Sequence, residues 1–108
     1  MKRSETKKLD KEWSIRVRTR YKFKCQVCGV VRHNNNAHHI IPKHSNKELR
    51  HDVRNGTCLC FRCHKVGPNA AHQNALWFNQ WLKQNCPKQW RWCMISGGMH
   101  APPKPKDI

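Results

Sequence analysis

The sequence predicts a small α+β domain that is held by a four-cysteine metal site and flanked by helices. Three observations predict it. Two Cys-x-x-Cys pairs, Cys25/Cys28 and Cys60/Cys63, stand with 31 residues between them. Two short strand-like runs, Ala37 to Ile41 and Thr57 to Leu59, lie between the pairs. Helix-period apolar patterns occupy both flanks, over residues 10–20 and 69–84.

A chain of 108 residues is one small domain, and a hydrophobic fraction of 37% makes a core of side chains alone marginal. A structural metal is the physical supplement that such chains use. The formal charge is +16, from 22 Lys and Arg against 6 Asp and Glu, and the excess is spread along the whole chain. A domain this basic needs a polyanion, and nucleic acid is the default. A membrane surface fits less well, because no segment pairs a basic face with a long apolar stripe. No apolar run approaches the roughly 18 residues of a spanning helix. The basic N-terminus is not followed by the apolar core of a signal peptide. Of the seven cysteines, four sit in Cys-x-x-Cys pairs. That spacing, without an export signal, predicts reduced thiolates on a metal in the cytoplasm.

In chain order, residues 1–9 read as a flexible basic N-terminus, residues 10–100 as a single domain and residues 101–108, rich in Pro and Lys, as a flexible tail. Asp10 is placed to cap a helix over 10–20, with Trp13, Val17 and Tyr21 recurring every four residues on its inner face. Residues 21–31 form a metal knuckle in which Gly29 permits the tight turn after Cys28. The first strand, 37–41, is ended by Pro42, and residues 43–54 make a long basic loop. Asn55-Gly56 signals a turn into the second strand. A helix is expected near Phe61, carrying His64 and ending by Gly67-Pro68. Asn69 is the expected cap of the 69–84 helix, whose Trp77 and Trp81 read as core. Gln89 to Ile95 reads as a strand.

The two Cys-x-x-Cys knuckles predict structural Zn²⁺ on Cys25, Cys28, Cys60 and Cys63. A redox role fits one such pair, but not two that bracket a histidine cluster. Cys58 reads as a small core residue. Cys86, Cys93 and His100 fit no metal-ligand spacing.

In order, Cys-x-x-Cys (Cys25, Cys28), His-His-Ile-x-Pro (His38 to Pro42), Asn55 and Leu-Cys-x-x-Cys-His (Leu59 to His64) resemble the pattern of the HNH nucleases. The similarity runs from about Cys25 to Lys65. The small stand-alone zinc-bearing HNH endonucleases of bacteria and phages resemble the chain most in size and layout. The resemblance implies a ββα-metal (His-Me finger) core at about residues 37–67. It also implies a metal-dependent endonuclease that hydrolyses phosphodiester bonds of double-stranded DNA by a single-metal, histidine general-base mechanism. It assigns His39 as general base, His38 and His64 as ligands of one catalytic divalent ion, and Asn55 as the brace of the hairpin loop that holds the His39 imidazole. His38 stands where the family more often has Asp. The less anionic site favours Mn²⁺, Ni²⁺ or Zn²⁺ over Mg²⁺. Relatives such as the colicin DNases carry a further histidine one helical turn after the last, where this chain has Pro68, so that ligand is absent.

Elementary chemistry supports the same roles. Neighbours on a strand face opposite sides, so His38 and His39 cannot both face the core. Neutral imidazole suits a base near pH 7, and activity is expected to fall as pH drops toward about 6. Arg54, Arg62 and Lys65 flank the site as phosphate clamps. His33, His44, His51 and His72 read as polar surface, with His44 and His51 as further phosphate contacts. The alternative is a zinc-stabilised nucleic-acid-binding module without catalysis, which predicts the same charge and thiolates but has no use for His39.

Overall fold

A computed structural model describes residues 2–97. The expected tail and His100 lie outside the described residues. Helix α1 spans Arg3–Arg20, β1 Asn36–His39, β2 Gly56–Leu59, α2 Ala75–Asn85 and α3 Pro87–Ser96. A 3₁₀ turn, Val53–Asn55, precedes β2, and a five-residue π turn, Arg62–Val66, follows it. No helix among the described residues is long and apolar enough to cross a membrane.

Helix α1 begins a full turn and more before Asp10, so Asp10 is not its cap. The carboxylate is used at long range instead, as described below. Trp13 and Val17 face inward at the i,i+4 spacing and are buried. Arg18 and Arg20 in the last turn suit the negative end of the helix. Two consecutive left-handed residues, Lys22 (φ 54°) and Phe23 (φ 59°), then turn the chain sharply into the first cysteine knuckle.

Strands β1 and β2 form an antiparallel pair in which His38 faces Thr57 and His39 faces Gly56. Gly56 is there because α1 comes so close. A Cβ at this position would lie 2.5 Å from Val17 Cγ2 and 2.8 Å from Trp13 Cζ2. Asn55-Gly56 is therefore not a hairpin turn, since Gly56 is extended (φ −140°) and Asn55 closes the 3₁₀ turn.

Two expectations for the C-terminal part are overturned. Helix α2 starts at Ala75 under a cap from Asn74, whose side chain accepts from the Trp77 N–H, and not at Asn69. Residues 71–73 are bonded to the π turn instead. Residues 87–96 are a helix and not a strand, opened by Pro87, whose missing N–H costs nothing in a first turn. The main apolar cluster joins Cys25, Leu59, Cys60, Ala71 and Phe78, with Trp77 and Trp81 packed against it. It therefore sits directly beneath the sulfur cluster.

Candidate active site

The four knuckle cysteines converge. Their Sγ atoms all lie within 4.8 Å of one another, and Cys28 Sγ is 3.6 Å from Cys60 Sγ. Tetrahedral zinc with bonds of ~2.3 Å sets its sulfurs roughly 3.8 Å apart, so the four fit a structural ion. Each knuckle is prefolded: the Cys28 N–H is directed at Cys25 Sγ and the Cys63 N–H at Cys60 Sγ, both at 3.5 Å. Gly29, at φ 84°, adopts the left-handed turn expected of it. Burial alone would raise the Cys25 thiol, but backbone N–H groups aimed at its sulfur outweigh that and lower it to about 7. The sulfur is thereby prepared to bind as thiolate. Gln26 N–H donates to the Cys58 carbonyl at 2.9 Å and ties the first knuckle to β2. Cys58 itself is fully buried, as a core residue should be.

A second cluster holds three imidazoles. His64 Nε2 lies 3.1 Å from His38 Nδ1 and 3.0 Å from His72 Nε2. His38 comes from β1 and His64 from the π turn. His72, read from the sequence as polar surface, is exposed as expected but joins this cluster from the loop before α2. This loop folds back residue for residue along the π turn. Ala71 N–H donates to the Cys63 carbonyl, His72 N–H to the His64 carbonyl and the Gln73 side chain to the Lys65 carbonyl, at 2.9, 3.0 and 2.8 Å. Those bonds satisfy carbonyls at the end of a short helical segment and bring the two rings together. No periodicity marks His72, because a Gly-Pro break separates it from His64.

The three rings are set up as ligands. His64 Nδ1 lies 3.0 Å from Asn36 Oδ1, an oxygen that can only accept. The proton therefore sits on Nδ1, and Nε2 presents its lone pair to the other two rings. Burial, with the neighbouring imidazoles adding to it, pushes His38 down to about 3. Burial, then His72 and Lys65, lowers His64 to about 4. Phe78 stands edge-on to His38 with centroids 5.3 Å apart.

Both shifts carry a stability consequence. A folded-state pKa below the unfolded value of about 6.5 means that the folded form favours neutral rings. Their contribution is complete above pH 6.5 and is lost as pH falls toward 4 and then 3. The melting temperature of protein stripped of any ion at the histidines should therefore drop steadily from pH 7 to pH 4. His38→Gln should flatten that slope, and an equal slope in both proteins would refute the assignment.

His39 faces the other way. Its ring stacks on Trp13 at 3.8 Å between centroids and 8° between planes, and its Nε2 lies 2.9 Å from the Arg50 carbonyl. A carbonyl only accepts, so Nε2 carries the proton and Nδ1 the lone pair. Burial lowers the pKa of His39, with the Arg50 carbonyl and the Asp10 charge acting in the opposite direction. Asn55 is 1% exposed and clamps the loop between the strands. Its Oδ1 accepts from Ile41 N–H at 2.7 Å, while its Nδ2 donates to the Ile41 and Leu49 carbonyls at 3.1 and 3.2 Å. It braces the loop, but its side-chain hydrogen bonds go to Ile41 and Leu49 and not to the His39 ring, which stacks on Trp13 and bonds to the Arg50 carbonyl.

A cleft of about 660 Å³ opens over His38, His39, His64 and His72 and is bordered by Lys43, His44 and Lys65. Arg54 does not line it. Its guanidinium is paired with Asp52 at 2.8 Å and lies 4.4 Å over the Trp92 ring. Arg62 is exposed beside Gly67 and is also off the cleft. His51, expected as a phosphate contact, is 2.7 Å from the Asp10 carboxylate. The cations beside the imidazoles are thus Lys43 and Lys65, and the sequence singled out only the second.

Among known proteins, the family model described as HNH endonuclease matches residues 25–66. No curated protein and no solved structure matches the chain.

Proposed function

Because the family model described as HNH endonuclease matches residues 25–66, we propose that this protein is a metal-dependent endonuclease that hydrolyses phosphodiester bonds of double-stranded DNA with His39 as general base. The observation that carries the proposal is the division of labour across β1. His38 joins His64 and His72, with His64 Nε2 3.1 and 3.0 Å from the other two rings, while His39, its neighbour, lines the same cleft and keeps the lone pair on Nδ1. A pure binding module needs neither feature.

In this reading β1, β2 and the turn carrying His64 serve as the ββα-metal core. Cys25, Cys28, Cys60 and Cys63 hold Zn²⁺, and that ion fixes Cys63 and so its neighbour His64. His38, His64 and His72 are the ligands of one catalytic divalent ion. His72 takes the place of the ligand that Pro68 rules out. Such an ion supplies Lewis-acid neutralisation of the charge that builds on the phosphate oxygens and the leaving 3′-oxygen. Three nitrogen donors without a carboxylate favour Mn²⁺, Ni²⁺ or Zn²⁺ over Mg²⁺. His39 takes the proton of the attacking water at Nδ1, and Lys43 and Lys65 hold the strand by its phosphates.

Plasmid nicking across a panel of divalent ions tests the reading. Cutting with Mn²⁺ or Ni²⁺ exceeding that with Mg²⁺ is the expected result, and no cutting with any ion would overturn it. His72→Ala separates a ligand from a bystander. Co²⁺ affinity at the histidine site should fall by more than the roughly 10–100-fold that losing an outer-shell partner costs. Calorimetric titration of wild type and variant reads this directly, and an unchanged affinity would remove His72 from the site.

A further inference from the structure

We infer that Asp10 and Trp13 of α1, outside the family-matched segment, are positioning residues that set which nitrogen of His39 is free to accept a proton. The inference rests on the general-base reading of His39 for its consequence in catalysis, but its geometry stands apart from that reading.

The two residues act on one ring by two routes. Trp13 lies flat against the His39 imidazole, 8° from parallel at 3.8 Å, which fixes the plane of the ring. Its indole N–H donates to the Asp52 carbonyl at 2.8 Å, so the stacking surface is itself bolted to the loop between the strands. Asp10 grips the same loop in bidentate fashion: Arg50 Nε and Nη2 reach its two carboxylate oxygens at 2.8 and 2.7 Å, and His51 reaches the first of them at 2.7 Å. The main-chain carbonyl of that same Arg50 is the acceptor for His39 Nε2. A carbonyl at a fixed place turns the choice of tautomer into a matter of position. With Arg50 held, Nε2–H has a partner, and the ring does not flip or shift its proton to Nδ1.

Charged bidentate pairs have the directionality that this task requires, since an Arg fork and a carboxylate match in only one plane. The rest of the loop is long and polar, and Asn55 restrains it at Ile41 and Leu49 but not at Arg50. The last link, from Leu49 to the carbonyl that matters, is made by α1. This also accounts for the close approach of α1 to Gly56, the residue paired with His39 across the sheet. A bulkier residue at position 56 would lift Trp13 off the imidazole.

The test is long-range ¹H–¹⁵N correlation NMR of the full chain with its cysteine site loaded, comparing wild type, Asp10→Asn and Trp13→Phe. Wild-type His39 should show a protonated Nε2 and an unprotonated Nδ1. Asp10→Asn keeps the shape but weakens the grip on Arg50, and should shift the ring toward a mixture of tautomers. Trp13→Phe keeps a stacking face and should retain most of the wild-type signature, serving as the conservative rescue of Trp13→Leu, which should not. In cleavage assays Asp10→Asn should lower kcat about tenfold with KM for DNA and Co²⁺ affinity unchanged. A wild-type tautomer in Asp10→Asn would overturn the inference, as would a loss explained wholly by KM or by metal release. The NMR result is read without any cleavage, so an inactive wild type would sink the nuclease reading and leave this one standing.

Discussion

His39→Ala should lower the rate of DNA cleavage by about 10² to 10⁴, the range that a positioned general base contributes, while metal content, thermal stability and DNA affinity stay near wild type. The selectivity follows from where the ring sits. His39 belongs to neither metal cluster, and what it loses on truncation is a stack on Trp13 and one bond to the Arg50 carbonyl. The acid side of the wild-type pH profile belongs to the same prediction. Burial lowers the pKa of His39, so the neutral base persists to a pH below the ordinary histidine value near 6.5. Activity should therefore persist to a lower pH than an unshifted histidine would allow, with its acid limb displaced downward from the ordinary histidine range. The measurements are initial nicking rates from pH 5 to 8 and electrophoretic binding assays. If His39→Ala cuts within threefold of wild type, another group is the base.

Cys25→Ser or Cys60→Ser should abolish the cooperative thermal transition and release the tightly bound ion. Apparent binding energies of structural Zn²⁺ are about 10–16 kcal/mol, whereas whole domains are stable by only about 5–15 kcal/mol. Losing one thiolate removes enough of the former to exhaust the latter. Both residues are buried, at 0% and 4% exposure, and both belong to the apolar cluster that also holds Leu59 and Phe78. The damage would therefore spread from the metal to the core. Cys58→Ala is the control. It lies at the same depth, two residues before Cys60, but is not among the four cysteines whose sulfurs converge, and its truncation should cost only packing while the ion is retained. Metal analysis with circular dichroism melting distinguishes the three variants. A Cys60→Ser protein with full metal content and an unchanged melt would show that the sulfur cluster is not what holds the fold.

The amino-acid sequence alone determined the parts whose chemistry is local. Two Cys-x-x-Cys knuckles specify their own turns, so Cys25, Cys28, Cys60 and Cys63 were legible before any coordinates, as were the two short strands between them. The opposed faces of His38 and His39 follow from the period of a strand, and Trp13 and Val17 from that of a helix. Spacing also placed His64 directly behind a pinned cysteine.

The tertiary structure decided whatever depends on distant segments meeting. His72 enters the imidazole cluster because residues 71–73 bond back onto the π turn, an event that no sequence period records. Asp10 looks like a helix cap by composition, and only the folded loop shows its carboxylate engaged by Arg50 and His51. Arg54 reads as a free cation until Asp52 and Trp92 are seen to occupy it. The C-terminal segment favoured neither period strongly, and packing against α2 made it a helix. Local rules fix what a residue is able to do. Which partner it meets is set by how the segments fold onto one another, and the energies of that folding are those of burial and hydrogen bonding summed over the whole domain.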